Sequence, residues 1–272
     1  MIKYALNFAG RLALHSRPVR SIVRYIHEWS NGFYYGSYSL DDEAALAMSF
    51  ASKSSGGGVI IDAGANVGAY TQALNKSETP FKKILMIEPS PALNAQLNDL
   101  ADQYPVIAFE AAAVGAEPGS LQLYSDREKS GIASLYQRDI SHFGIEMNQS
   151  VWVPVVTLDL ITSEYEIENI DYLKLDVEGH ELEALKGAKR LLEEKRIRAI
   201  AFEFGGCNID SRTYVKDFWS LLVKQYGFTF YRLAPGRRLI KLDRYSESLE
   251  RFNWQNLLAC APCVEPTWKV ID

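Results

Sequence analysis

Val59-Ile60-Ile61-Asp62-Ala63-Gly64-Ala65-Asn66-Val67-Gly68 reads as a short buried strand, a glycine turn and the start of a helix. The apolar run lacks polar alternation, the pattern of a strand covered on both faces. Glycine lets a backbone turn sharply and come close to a ligand. Glu88, twenty residues beyond Gly68, closes a second buried run, Ile84-Leu85-Met86-Ile87. At that spacing a carboxylate can accept hydrogen bonds from both hydroxyls of a ribose. The turn is Gly-x-x-x-Gly rather than Gly-x-Gly-x-x-Gly. A pyrophosphate cradle needs the extra glycine and bare amides at the helix start, and Ala65 and Asn66 fill that space. The segment therefore suits a nucleoside without phosphates and disfavours a nicotinamide oxidoreductase.

Outward from this stretch, strand and helix signals alternate. Leu93, Leu97 and Leu100 mark a helix opened by Ser90-Pro91, and strand signals recur at 106–109, 120–124 and 152–158. Tyr172–Asp176 and Ala199–Glu203 are further buried-type strands. Val215, Phe218, Trp219, Leu222 and Val223 form a helical stripe, and Gly227 suits its end. Residues 228–233, 238–242 and 257–261 read as strands with short connections. The expected fold is α/β: a doubly wound, mostly parallel sheet with helices on both faces and antiparallel strands at its C-terminal edge. Ser54-Ser55-Gly56-Gly57-Gly58 is the only linker-like stretch. It divides a helical accessory segment, residues 1–54, from a main domain, residues 55–272.

At 272 residues, 47% hydrophobic and 23% charged, the chain can bury a large core, which excludes bulk disorder. Three cysteines cannot all pair, and so few fit a reducing compartment; a cytoplasmic protein is expected. The net charge of −5 argues against a general nucleic-acid binder. The charge is uneven. Residues 1–27 hold Lys3, Arg11, Arg17, Arg20 and Arg24 and no acid, leaving a formal −10 on the remainder. No run reaches the ~20 apolar residues of a membrane span. The basic start reads as a helix packed on the domain or as one making peripheral contact with a membrane surface.

A third block stands at Tyr172-Leu-Lys-Leu-Asp176-Val-Glu178-Gly179-His180-Glu181. With Asp62–Gly68 and Ile87-Glu88-Pro89, it resembles the Lys-x-Asp-x-Glu-Gly-x-Glu signature of the FkbM family of class I S-adenosylmethionine-dependent methyltransferases. Gly131–Leu135, Val156–Asp159 and Asn256–Ala259 are also similar to that family. The resemblance spans roughly 55–262. It implies a Rossmann-like, seven-stranded sheet that binds S-adenosyl-L-methionine at the C-terminal strand ends. By that analogy Glu88 holds the ribose, Asp62 and Gly64 lie near the methionine part, Asn66 and Gly68 line the same loop, and Glu110 passes beside the adenine. Many such enzymes methylate a hydroxyl, often on a sugar or other small-molecule or glycan acceptor.

Methyl transfer is an in-line displacement in which the enzyme mostly supplies position. A sugar hydroxyl is a poor nucleophile while protonated, so a nearby base helps. Asp176, Glu178 and His180 fall at the end of a central strand, where open sheets bind ligands, and are the expected catalytic residues. Glu181, on the following helix, reads as structural. The acids could also hold a divalent metal, but acidic helix starts are common and no metal site is assigned. Glu203 is a further substrate-contact candidate. Segment 125–150, with Arg127, Lys129, Ser134, Arg138 and His142, reads as a cover over cofactor and acceptor. Cys260 and Cys263 form only half of a zinc motif. Phe33, Tyr34, Tyr35 and Tyr38 could stack on a sugar, but packing of the N-terminal segment is the expectation. The leading function is O-methylation of a sugar or glycoconjugate hydroxyl. The alternatives are an N- or O-methyltransferase of a lipid or natural product, or a catalytically silent cofactor-binding module.

Overall fold

A computed structural model of the chain describes Gly10, residues 16–33 and residues 39–271. Lys3, Arg11, Tyr34, Tyr35 and Tyr38 lie outside the described residues. The strands are β1 Gly58–Ala63, β2 Phe81–Ile87, β3 Ile107–Glu110, β4 Ala113–Val114, β5 Gly119–Ser125 and β6 Gln149–Val156, then β7 Tyr172–Leu175, β8 Ala199–Phe204, β9 Thr229–Ala234, β10 Arg238–Leu242, β11 Gln255–Cys260 and β12 Lys269–Ile271. The helices are α1 Arg17–Ser30, α2 Leu40–Ala51, α3 Ala69–Asn75, α4 Asn94–Gln103, α5 Leu158–Glu164, α6 Glu181–Lys186, α7 Lys189–Glu193, α8 Cys207–Ser211 and α9 Val215–Phe218; α9 runs on into Trp219–Gln225. None of the described helices is long and apolar enough to cross a membrane.

The main sheet has the order β12-β10-β9-β11-β8-β7-β1-β2-β3. The five strands from β8 to β3 run parallel, and β11 is inserted antiparallel between β8 and β9. The mostly parallel core and the antiparallel C-terminal edge match the expectation. The count does not: among the described residues the sheet has nine strands rather than seven, because β10 extends the β9 hairpin and β12 pairs beyond it. The strand signals near 120–124 and 152–158 leave the main sheet and form a second one, β4-β6-β5. The reason is exposure: Val151 and Trp152 of β6 face solvent, which a strand covered on both faces cannot allow.

β1 is buried along its whole length. Ile61, Ala63, Leu173, Leu175, Phe202 and Leu257 pack on one side against Leu185 of α6, Leu191 of α7 and Phe218 of α9. Ile60, Tyr172, Ala199 and Leu258 pack on the other against Leu46, Ala47 and Phe50 of α2, Leu74 of α3 and Leu97 of α4. α2 therefore belongs to the core of the main domain, and a boundary after residue 54 cuts through this packing. Its start is secured locally: Ser39 Oγ accepts the Asp42 N–H and the Asp42 carboxylate accepts the Ser39 N–H, a capping box with acids in the first turn. α1 is different, because none of its residues is buried.

Candidate functional site

The strand order reverses at β1, between β2 and β7, and open sheets bind ligands outside the strand ends at that point. The loop after β1 is strongly bent, with φ of +82° at Gly64, +47° at Asn66 and +77° at Gly68. A Cβ on Gly64 would overlap the Asp176 carbonyl oxygen, so this glycine lets the loop close against the end of β7. The N–H groups of Gly64 and Ala65 both donate to the Ile87 carbonyl, at 2.9 and 3.1 Å. Glu88 is clamped in turn: its two carboxylate oxygens accept the N–H of Asn66 and of Ser90, each at 2.9 Å. Burial pushes the Glu88 carboxyl above the usual range against the pull of these two amides. Glu88 lines a narrow cavity of about 40 Å³ with Gly64, Pro89, Asp176 and the apolar side chains of Ala112, Ala113, Val114, Leu123, Ala133 and Leu135.

The turn after β7 is also strained. Glu178 sits at φ +50° and Gly179 at φ +103°. Buried Glu181 supports the turn from the helix start, since its Oε1 accepts the N–H of Val177 and of Gly179, both at 3.1 Å. Segment 125–150 is fastened onto this turn at three points. Ser134 Oγ donates to the Glu178 carbonyl at 2.7 Å, Arg138 Nη1 meets Glu178 Oε2 at 2.6 Å, and the Tyr136 hydroxyl lies 3.1 Å from His180 Nδ1. Arg138 also pairs with Asp210 of α8 at 3.4 Å. Ile132, Arg138, Ile140 and Phe143 of this segment wall a second, wider cleft, together with Asp176, Glu178, Glu203, Glu43 and Trp254. Asp176 is common to both cavities.

The register accounts for a row of charge on one face of the sheet. Asp62 on β1 lies opposite Lys174 on β7, and Glu203 on β8 lies opposite Asn256 on β11. Lys174 Nζ is 2.9 Å from Asp176 Oδ2, 3.7 Å from Asp62 Oδ1 and 5.2 Å from the Tyr70 ring centre. Asp62 Oδ2 accepts the Thr71 hydroxyl at 2.8 Å. Glu43, from α2, accepts the Asn256 side-chain amide at 2.9 Å. Burial works against the Lys174 ammonium, but Asp176, Asp62 and Glu43 outweigh it and hold the group above the usual lysine value. Burial pushes Glu43 up to about 7 against the pull of Lys174. Burial and the nearby Asp176 push Glu178 up to about 7 while Arg138 opposes them. Burial, then Asp176 and Glu178, raise Glu203 to about 8.

The structure brings Gly64, Glu88 and Asp176 to the narrow cavity, and Asp176 and Glu178 to the wide cleft. Five expected residues line neither cavity: Asn66 and Gly68 shape the loop after β1, where the Asn66 N–H is held by Glu88 and a Cβ on Gly68 would crowd Leu100, and three others stand elsewhere. Asp62 is fully buried beneath the floor, where it partners Thr71 and Lys174. Glu110 turns to the Tyr165 hydroxyl at 3.1 Å and lines neither cavity. His180 is buried against Tyr136 and Gly115 and is absent from both cavity walls; burial lowers its pKa. Among the described residues, no group of three or more His, Cys, Asp or Glu is arranged to hold a metal ion. Cys260 is buried in β11 and Cys263 is exposed, and neither is in a disulfide.

Glu43, Lys174 and Trp254 were not anticipated as site residues. For Lys174 a signal existed, because an ammonium inside a buried strand requires charged partners. Glu43 carried none, since only the packing of α2 delivers it to the cleft.

A parallel sheet with one antiparallel strand inserted near its edge, a glycine loop after β1 and a clamped carboxylate after β2 define a class I methyltransferase architecture. A family model, the methyltransferase FkbM domain, matches residues 62–230, and the chain belongs to that family. Among curated proteins it is similar to methyltransferase 1 of Beauveria bassiana, 29% identical over 143 residues, covering 47% of this chain and 57% of that protein. It is also similar to methyltransferase sdnD of Sordaria araneosa, 29% identical over 158 residues, covering 47% of this chain and 59% of that one. The chain thus spans somewhat over half the length of these relatives. Among solved structures, the methyltransferase FkbM of Methylobacillus flagellatus KT aligns with a TM-score of 0.46 at 18% identity, over 74% of this chain and 43% of that one.

Proposed function

We propose that this methyltransferase uses S-adenosylmethionine and acts on a hydroxyl of a sugar or glycoconjugate. The observation that carries the reading is the set of carboxylates, Asp176, Glu178, Glu203 and Glu43, lining a cleft that shares Asp176 with the cavity of Glu88. The donor set of the narrow cavity fits the cofactor. Each Glu88 oxygen keeps a lone pair beyond its amide bond, enough for the two hydroxyls of a ribose. The alanine, valine and leucine walls suit a purine face. When bound, S-adenosylmethionine supplies an electrophilic methyl group on a sulfonium.

The chain's own residues then have distinct tasks. Glu88 would hold the ribose. Asp176, between the cavities, would orient the acceptor, with Lys174 bracing it from below. Glu178, held by Arg138, would take the hydroxyl proton, and Glu203 is next in line. Groups poised near 7 and 8 can accept a proton close to neutral pH, where an ordinary carboxylate is too weak a base. His180 is outside the cleft and takes no part in this scheme.

Two measurements test the proposal. A screen of sugars, glycans, natural-product hydroxyls and amines with labelled S-adenosylmethionine should give mass gain on a sugar hydroxyl. Transfer confined to amines would overturn the acceptor reading. Glu178→Gln should leave cofactor affinity within a few-fold and lower turnover by roughly 10²–10⁴, the contribution of a general base. Unchanged turnover with the acceptor identified in the screen would move the base to Glu203.

A further inference from the structure

We propose that α1 is a membrane-surface anchor, laying Val19, Ile22, Val23, Ile26 and Trp29 into the interface of an anionic bilayer. This goes beyond the methyl-transfer reading and does not depend on it. The five side chains recur at helical spacing and share one stripe, yet Ile22 and Ile26 are each 58% exposed and no residue of α1 is buried. The opposite face carries Arg17, Arg20 and Arg24, and the first turn contains no acid. Tyr25 lies beside Trp29 at one border of the stripe, and such rings settle at headgroup depth.

Charge selects a lipid surface over a protein partner. Residues 1–27 hold five cations and no acid, while the remainder carries a formal −10. An acidic body is repelled by anionic lipid, so attachment needs its cations concentrated at one place beside an apolar stripe. α1 carries Arg17, Arg20 and Arg24 against one acid, Glu28, beside that stripe, the composition of a helix that lies in the interface plane.

The helix is pinned at its C-terminal end. Arg232 Nε donates to the Asn31 carbonyl at 2.6 Å, and Phe33 lies under the guanidinium groups of Arg232 at 3.9 Å and Arg251 at 4.4 Å. Arg251 precedes Phe252, a wall of the wide cleft, so the pin and the cleft are neighbours. Phe143, at the same cleft, is 72% exposed.

The test uses the full chain and flotation with phosphatidylcholine vesicles, with and without phosphatidylserine. The wild type should float with the anionic vesicles, stay behind with the neutral ones and lose binding as salt is raised. Ile22→Asp combined with Ile26→Asp should lower partitioning at least tenfold while thermal melting and binding of S-adenosylhomocysteine stay unchanged. Replacing Arg17, Arg20 and Arg24 by Gln should lower it about a hundredfold, from roughly fivefold per cation. Failure of the wild type to float with anionic vesicles would overturn the proposal, as would equal flotation of the aspartate variant. A wild-type dimer that the aspartate variant turns into a monomer, without vesicle binding, would assign the stripe to a second copy of the chain instead.

Discussion

Replacing Glu88 by Ala separates the two tasks of one carboxylate. Its oxygens hold the amides of Asn66 and Ser90, each at 2.9 Å, and under the cofactor reading they also accept two ribose hydroxyls. Hydrogen bonds to a charged acceptor contribute about 1.5–3 kcal/mol each, and two on one carboxylate are not fully additive. A loss of about 2–4 kcal/mol corresponds to roughly 30- to 900-fold in the Kd for S-adenosylhomocysteine, read by calorimetry. Stability falls as well, because the Ser90 amide is buried and loses its acceptor, at about 1–3 kcal/mol. For a domain of this size that is about 2–4 °C of melting temperature per kcal/mol, so melting is measured before titration. Glu88→Gln keeps one acceptor oxygen and presents an amide donor in place of the other, so about 5- to 30-fold is expected. A well-folded Glu88→Ala protein binding S-adenosylhomocysteine within threefold of wild type would refute the assignment.

Two further outcomes follow from the buried acids and from α2. Glu43, Glu178 and Glu181 stand near 7 and Glu203 near 8, each raised first by burial from an ordinary value of 4.5. The folded chain keeps protons that the unfolded chain releases, so these groups contribute most stability below about pH 4.5 and lose that contribution as pH rises through about 7–8. Glu181→Gln cannot ionise, keeps an oxygen for the amides of Val177 and Gly179, and should flatten the fall in melting temperature between about pH 5 and 7; an unchanged slope would contradict this. A chain beginning at Gly32 keeps α2 and should fold and bind S-adenosylhomocysteine. One beginning at Gly56 loses fully buried Leu46 and Phe50, side chains whose removal costs about 2–5 kcal/mol each. A cooperative melt from the Gly56 chain would show that α2 is dispensable.

The sequence by itself determined the parallel core and the loop after β1. An apolar run without alternation must be covered on both faces, and Gly64 and Gly68 allow a turn that other residues resist. It also determined that Glu88, Asp176 and Glu178 end at one sheet edge, because successive parallel strands present their C-terminal ends together. It did not determine which way a side chain turns there. His180 is two residues from Glu178, yet the left-handed turn through Glu178 and Gly179 and the contact with Tyr136 carry it away from the cleft. Only the tertiary structure pairs Asp62 with Lys174, since strand register and not proximity in sequence aligns residues 112 positions apart. The same holds for Glu43, which reaches the cleft because α2 packs onto the sheet through Leu46, Ala47 and Phe50. Periodicity is local to an element, whereas the position of a charge among other charges depends on which elements pack together.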